Sequence, residues 1–524
     1  MSLTNKLVNL DAMIKREDFA SQESLGQTFE KIPSISVRDF NTTDGHVSTL
    51  LRKPDFQRET NHWTPSQIVS LLECFVSGDL IPSVILWQSS SYLFVIDGGH
   101  RLSALKAWVT DDYGDGPISQ AFFGNNISKD QLKNAEMTRQ MVAQKFGSWR
   151  HLSQKISAET LGTPEEKARA TRVVTRGLTI QWVEGNPEKA ENSFFKINTK
   201  GTPLDEVEEV LLKTRRKPIS IAARAIIRAG KGHRYWSLFP EEKSKKIEER
   251  SKRLHGILFE PELQSPVKTL ELPLGGSKGV RAALQVLIDF MLISCRKQDG
   301  KPEKVDDQPD DPTGESTLDA LHLATRLAER ITGNENGSLG LHPAVYFYGP
   351  TGRHSSPMFM GTVQVIGKRI SSNDQTFFPE FTRVREGLEK VLVDHKDIIS
   401  VILQRTSSKR RNQIYEKMFY HIFKHLKDGN EVTEEYIVEI SALKGRVVTG
   451  DSGGGSSKFT DDTKSIAFIR TALASAIKCP ICRGYLDPNK SVSYDHVVRV
   501  RDQGDGSANN CQLAHPFCNQ SVRQ

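Results

Sequence analysis

Cys479-Pro480-Ile481-Cys482, then Asp495-His496, then Asn510, then His515-Pro516-Phe517-Cys518-Asn519: this stretch near the C-terminal end decides how the chain is read. Cys479 and Cys482 stand at C-x2-C spacing on one tight turn, and His515 and Cys518 return a second pair at H-x2-C spacing. Three thiolates and one imidazole suit a closed tetrahedral site, so these four residues are the expected ligands of a structural Zn2+. A segment this short buries little core of its own, and the metal is expected to supply its folding energy.

The residues between the ligands carry further chemistry. Phosphodiester hydrolysis needs a base near a water, a divalent cation on the scissile phosphate and a group that orients the base. His496 offers the base, and Asp495 offers a hard oxygen ligand for Mg2+ or a similar ion. Asn519 would project towards the same ion from the start of a short helix, and Asn510 can hold a loop or the His496 ring by its amide. The run D-H-x13-N-x8-N inside C-x2-C and H-x2-C resembles the zinc-containing HNH endonucleases of the ββα-metal type, over residues 465–524. That resemblance implies catalytic roles for His496, the base, and Asn510, and a catalytic divalent ion on Asp495 and Asn519. Two positions depart from the family: His515 stands in for the commoner Cys, and Val522, followed by Arg523, stands where a Lys is usual.

Of the six cysteines, three belong to this zinc set. Cys511, between Asn510 and Gln512, reads as a packing residue, and Cys74 and Cys295, in apolar helical surroundings, read as buried thiols. The absence of a signal peptide and of disulfide-like pairing points to the cytoplasm. The longest apolar stretch, Ala282 to Cys295, contains Asp289 and is too short to span a bilayer, so no membrane partner is expected. A net charge of +7 is compatible with DNA as a partner without being diagnostic. The basic runs Lys213–Lys217 and Lys409–Arg411 are candidates for phosphate contacts, whereas Lys243–Arg253 is laced with Glu and reads as a solvated helix face.

A chain of 524 residues implies about three domains. The polar stretch Lys297–Ser316 reads as a loop, and Gly450–Ser457 as a flexible tether that lets a small catalytic module swing relative to the body. No G-x4-GK-[ST] occurs, which excludes a P-loop NTPase.

Towards the N-terminus, Phe56-Gln57-Arg58 and Trp63 precede a predicted helix over 66–77 and two predicted strands, 83–87 and 92–96. The second strand runs into Asp97-Gly98-Gly99-His100-Arg101 and a helix over 102–109. A strand leading into a Gly-containing turn and a helix start aims backbone N–H groups and a dipole end at an anion, and Arg101 adds a forked cation. A tight turn held by an Arg101–Asp97 pair is the equally open structural reading. With Phe194-Phe195-Lys196-Ile197-Asn198 and Gly201-Thr202-Pro203-Leu204, these motifs resemble the GmrS-type domain, of ParB/sulfiredoxin-like fold, over residues 25–215. The resemblance implies a nucleoside triphosphate held by Gln57, Arg58, Asp97, Gly98, Gly99, His100 and Arg101, which regulates a nuclease. Gly99 and His100 stand where the family has two Gln, while the Gly-x-x-Arg spacing of Gly98 and Arg101 is kept.

The middle shows helical apolar spacing at 280–292, 317–331, 381–393 and 413–426. Leu341–Tyr348 is aromatic and reads as core more readily than as a base-stacking platform. The expected fold is a multidomain α+β protein. It has a ParB/sulfiredoxin-like α/β domain (25–215), a mainly helical coupling domain (216–445), a linker (446–464) and an HNH domain with a zinc knuckle (465–524). The architecture resembles the GmrSD and SspE antiphage proteins, which restrict foreign DNA or act with DNA phosphorothioation. That implies a nucleotide-regulated DNA endonuclease in modification-dependent restriction, with DNA, an NTP and a second copy of the chain as expected partners. The alternatives are a nucleotide-switched DNA-binding protein with an inactive HNH, and a mobile-element or homing HNH nuclease.

Overall fold

The computed structural model describes residues 7–19, 31–40, 46–57, 60–124, 127–157, 163–200, 206–277, 280–296, 304–374, 376–441 and 459–522. Arg58, residues 201–204, Arg523 and the expected tether lie outside them. The chain divides into two compact units, Met1–Arg215 with Lys231–Tyr235, and Arg216–Gly230 with Trp236–Gln524.

The first unit is built on a mixed six-stranded sheet. Its strands are β1 (Arg16–Glu17), β2 (Ser34–Ser36), β3 (Leu51–Pro54), β4 (Val84–Gln88), β5 (Leu93–Asp97) and β6 (Gly177–Trp182). Their spatial order is β1-β3-β5-β4-β6-β2. β5 runs parallel to β3 and antiparallel to β4. Both faces of the central strands are covered, which explains their unbroken apolar runs. Val84, Leu86 and Val95 enter one core, while Trp87, Phe94 and Ile96 enter another with Phe19, Phe56 and Phe194. Helix α1 (Pro65–Ser77) starts on a capping box between Thr64 and Gln67 and stops at Gly78 in the left-handed region. Helix α2 (Gly99–Thr110) follows β5 directly.

The second unit is helical. Its α3 (Pro218–Ile227) is buried along nearly its whole length. It packs with α4 (Glu241–Phe259), α5 (Val280–Ser294) and α6 (Glu315–Ile331). Further along, α7 (Ser356–Ser371), α8 (Phe377–Asp394) and α9 (Arg411–Lys427) pack together. Leu341–Tyr348 is buried throughout, as core. Lys245–Glu241 and Lys246–Glu242 pair along the exposed face of α4, the solvated face its charge pattern suggested. No described helix is long and apolar enough to cross a membrane.

Three expectations need correcting. The basic run at 213–217 is largely engaged in ion pairs: Arg215 is held between Asp55 and Glu191, and Lys217 pairs with Asp310, while Lys213 pairs with Glu209 on the exposed surface. Cys511 is exposed, because the alternation of its strand turns it outward, and Cys74 and Cys295 are only half-buried. The tail expected to swing on its tether is instead seated within the second unit. Helix α10 (Asp461–Ala474) accepts the Val267 amide on Ser465 Oγ at 3.0 Å, and Phe517 N donates to Ser338 O at 2.9 Å.

Candidate metal centre and nuclease site

Beyond α10 the tail folds as a turn, a two-stranded hairpin and a short π-helical turn. Strand β7 (Ser493–His496) pairs antiparallel with β8 (Cys511–Ala514), and the helical turn spans Cys518–Val522. The ligand atoms of Cys479, Cys482, His515 and Cys518 all lie within 4.8 Å of one another, and all four residues are buried. That spread accommodates the edges of a tetrahedron with metal–sulfur bonds of about 2.3 Å. His515 Nε2 lies 3.0 Å from the Tyr485 carbonyl, which can only accept, so Nε2 carries the proton. Nδ1, 3.3 Å from Cys482 Sγ, is thereby left with its lone pair facing the cysteines. Burial and the Arg385 charge lower the His515 pKa, which favours the neutral form a ligand needs. Hydrogen bonds from Cys482 and Cys518 pull the Cys479 thiol far below its ordinary range, and those two thiols are pushed up in return. The donor set therefore fits Zn2+ in number, type and spacing.

Asp495 and His496 end β7, opposite Gln512 and Cys511. Alternation along the strand buries Asp495 and exposes His496. Asp495 Oδ2 accepts from Gln512 Nε2 at 2.8 Å. Asn519 reaches back to the same strand, its Nδ2 donating to Ser493 Oγ at 2.6 Å and to Tyr494 O at 3.1 Å. With Nδ2 donating twice to β7, the Asn519 amide is held in one orientation. Asn510 acts on the loop and not on the His496 ring. Its Oδ1 takes the Val498 amide at 2.6 Å, and its Nδ2 donates to Val498 O at 3.0 Å and Asp505 O at 2.7 Å. This clamps the 498–510 loop beside His496. Ser507 holds the Asp505 carboxyl below the usual carboxylate range, with a smaller contribution from His496. Around His496 the surface is apolar and basic: Tyr494, Val497, Val498, Val500 and Arg501 are all exposed.

The second candidate site lies in the first unit. Gly98 joins β5 to α2 with φ +96°, a conformation L side chains rarely adopt, and a Cβ there would meet Val84 Cγ2 at 3.0 Å. Arg101 pairs with Asp97 and donates to Ser83 O at 3.2 Å, so the turn is braced by the structural pair that the sequence left open. A Cβ on Gly99 would stand 3.4 Å from the Gln57 amide, so Gln57 lies against the turn. His100 stacks on Trp63, with ring centroids 5.2 Å apart and planes 28° apart. Gln57, Trp63, Asp97, Gly98, Gly99, His100 and Arg101 thus gather at the end of β5 and the start of α2. The first amides of α2 have no preceding turn to bond, as at any helix N-terminus.

Sequence reasoning missed what holds this segment. Buried Asp11 pairs with Arg16 and, at 2.6 Å, with Lys53, while Thr60 N donates to Asp11 Oδ1 at 3.1 Å and Arg16 Nη2 to Gln57 O at 3.2 Å. Both ends of the segment carrying Gln57 are tied to this network. Gln512 and Ser493, which orient Asp495 and Asn519, were also missed. Their positions opposite the motif residues become meaningful only once β7 pairs with β8.

Residues 40–215 match the family model described as GmrSD restriction endonuclease, N-terminal domain. The chain is GmrSD-like in its N-terminal part. No curated protein and no solved structure matches it. The GmrSD-like match spans Gln57 through Arg101.

Proposed function

We propose that this chain is a metal-dependent DNA endonuclease of the HNH type, regulated by a nucleotide on its GmrSD-like N-terminal part, and that it acts in modification-dependent restriction. The observation that carries the reading is Asp495, His496 and the returning Asn519 side chain on one strand beside a buried Cys3His cluster. A divalent ion on Asp495 and Asn519 would polarise the scissile phosphate and stabilise charge developing on it. The exposed His496 imidazole can take a proton from an attacking water. Asn510 fixes the loop beside it, and Gln512 orients Asp495. Arg501 and the exposed apolar residues of the same loop face solvent, where a DNA backbone can reach them. In the first unit, the start of α2 and Arg101 offer the donors that a triphosphate requires.

The test is plasmid nicking by the purified full-length chain with Mg2+ or Mn2+. His496→Ala is expected to lose on the order of 10²–10⁴ in rate with zinc content unchanged. Near-normal nicking by the variant would sink His496 as the base, and no nicking by the wild-type chain would favour the DNA-binding alternative.

A further inference from the structure

The zinc ligands belong to the tail, but the groups that hold them in place do not all do so. Glu389 and Arg385, one turn apart on α8, form an ion pair at 2.7 Å with side chains 1 % and 2 % exposed. Glu389 Oε1 also accepts the Tyr346 hydroxyl at 2.9 Å, and its Oε2 accepts the backbone amide of Tyr485 at 2.6 Å. Tyr485 closes the turn begun by Cys479 and Cys482, and its carbonyl is the group that fixes the His515 proton on Nε2. One peptide-bonded residue therefore links the Glu389 carboxylate to the orientation of the His515 ring.

Arg385 reaches the other half of the knuckle. Its Nη1 and Nη2 donate to Leu339 O at 2.5 Å and Gly340 O at 2.9 Å. The neighbouring Ser338 carbonyl accepts the amide of Phe517, beside Cys518. The guanidinium also packs so closely on the knuckle turn that a Cβ on Gly484 would stand 2.4 Å from Arg385 Nε. Its charge acts on Cys482 and Cys518. Three thiolates and a neutral imidazole around Zn2+ leave one net negative charge, which an adjacent guanidinium offsets.

We propose that Arg385 and Glu389 are positioning residues of the zinc centre, so that the helical body and the tail together hold the four ligands in ligating geometry. This rests on the zinc reading above. Outer-shell partners of this kind orient ligands and tune how tightly a metal is held. An ion pair that merely filled the core would leave the metal indifferent to its removal.

The experiment measures zinc transfer from the full-length chain to an excess of a colorimetric chelator, with helix content followed by circular dichroism. Co2+-substituted protein gives the thiolate charge-transfer bands as a second readout. Glu389→Gln keeps the side-chain shape and removes the charge that Tyr485 and Arg385 bond. Gly484→Ala approaches from the tail side, so the helical body keeps its own sequence. Both are expected to release zinc on the order of ten- to a hundred-fold faster, with shifted Co2+ bands and unchanged helix content. If Glu389→Gln does not fold, Gly484→Ala decides. Release at the wild-type rate from a folded variant overturns the proposal while leaving the zinc reading intact. A wild-type chain without zinc overturns both.

Discussion

Arg101 illustrates how much a single side chain can leave open. In the sequence it is either a phosphate ligand or half of a structural pair, and in the fold it is paired with Asp97 while standing at a helix start beside Gln57. The two roles are compatible, because a guanidinium has five donors and the pair with Asp97 uses only part of them. If a triphosphate takes the remainder, Arg101→Ala removes a charge-assisted bond worth about 1.5–3 kcal/mol, so calorimetry should show nucleotide binding weakened roughly ten- to a hundred-fold. Unchanged binding would make the turn purely structural. The same distinction applies to Asn510, whose type and spacing were legible but whose task was not. Its amide clamps Val498 and Asp505, a role fixed by where the loop closes.

At the scale of elements, the sequence carried most of what local pattern can carry. The predicted helices at 66–77, 280–292 and 413–426 appear as Pro65–Ser77, Val280–Ser294 and Arg411–Lys427, because apolar spacing and capping residues are local signals. The Cys3His set was legible for the same reason, since its residue types and short spacings are nearly sufficient. Arg385 and Glu389 were not. An i,i+4 charge pair on a helix ordinarily marks a solvent face, and these two are buried because residues from the 339–346 segment and the returning tail both contact them. Lys396 was equally hidden. Its ammonium donates to Ala344 O, Val345 O and Tyr348 O, and burial lowers its pKa to about 7. An unfolded Lys keeps its proton up to about pH 10.4, so between about pH 7 and that value the unfolded state binds more protons and stability rises with pH. Thermal midpoints of Lys396→Met should lack this component of the rise, and a wild-type slope in the variant would refute the buried charge as its source.

The whole molecule joins two compact units with different chemistry, one matching a restriction-endonuclease N-terminal domain and one ending in a Cys3His cluster. Removing zinc should therefore separate their functions. A zinc-selective chelator, removed before the assay is run in fresh Mg2+, is expected to abolish cleavage while nucleotide binding, measured by calorimetry on the full chain, persists. Loss of both together would mean that the nucleotide site also depends on the metal. The central claim is that a nucleotide on the first unit governs cutting by the second. Its most direct test is the rate of metal-dependent cleavage of modified and unmodified DNA by the full-length chain, without nucleotide and with each NTP in turn. The account predicts cleavage whose rate changes with at least one NTP and whose nucleotide response is lost in Arg101→Ala. Cleavage at one rate under every nucleotide condition, or no cleavage of any DNA, would contradict it.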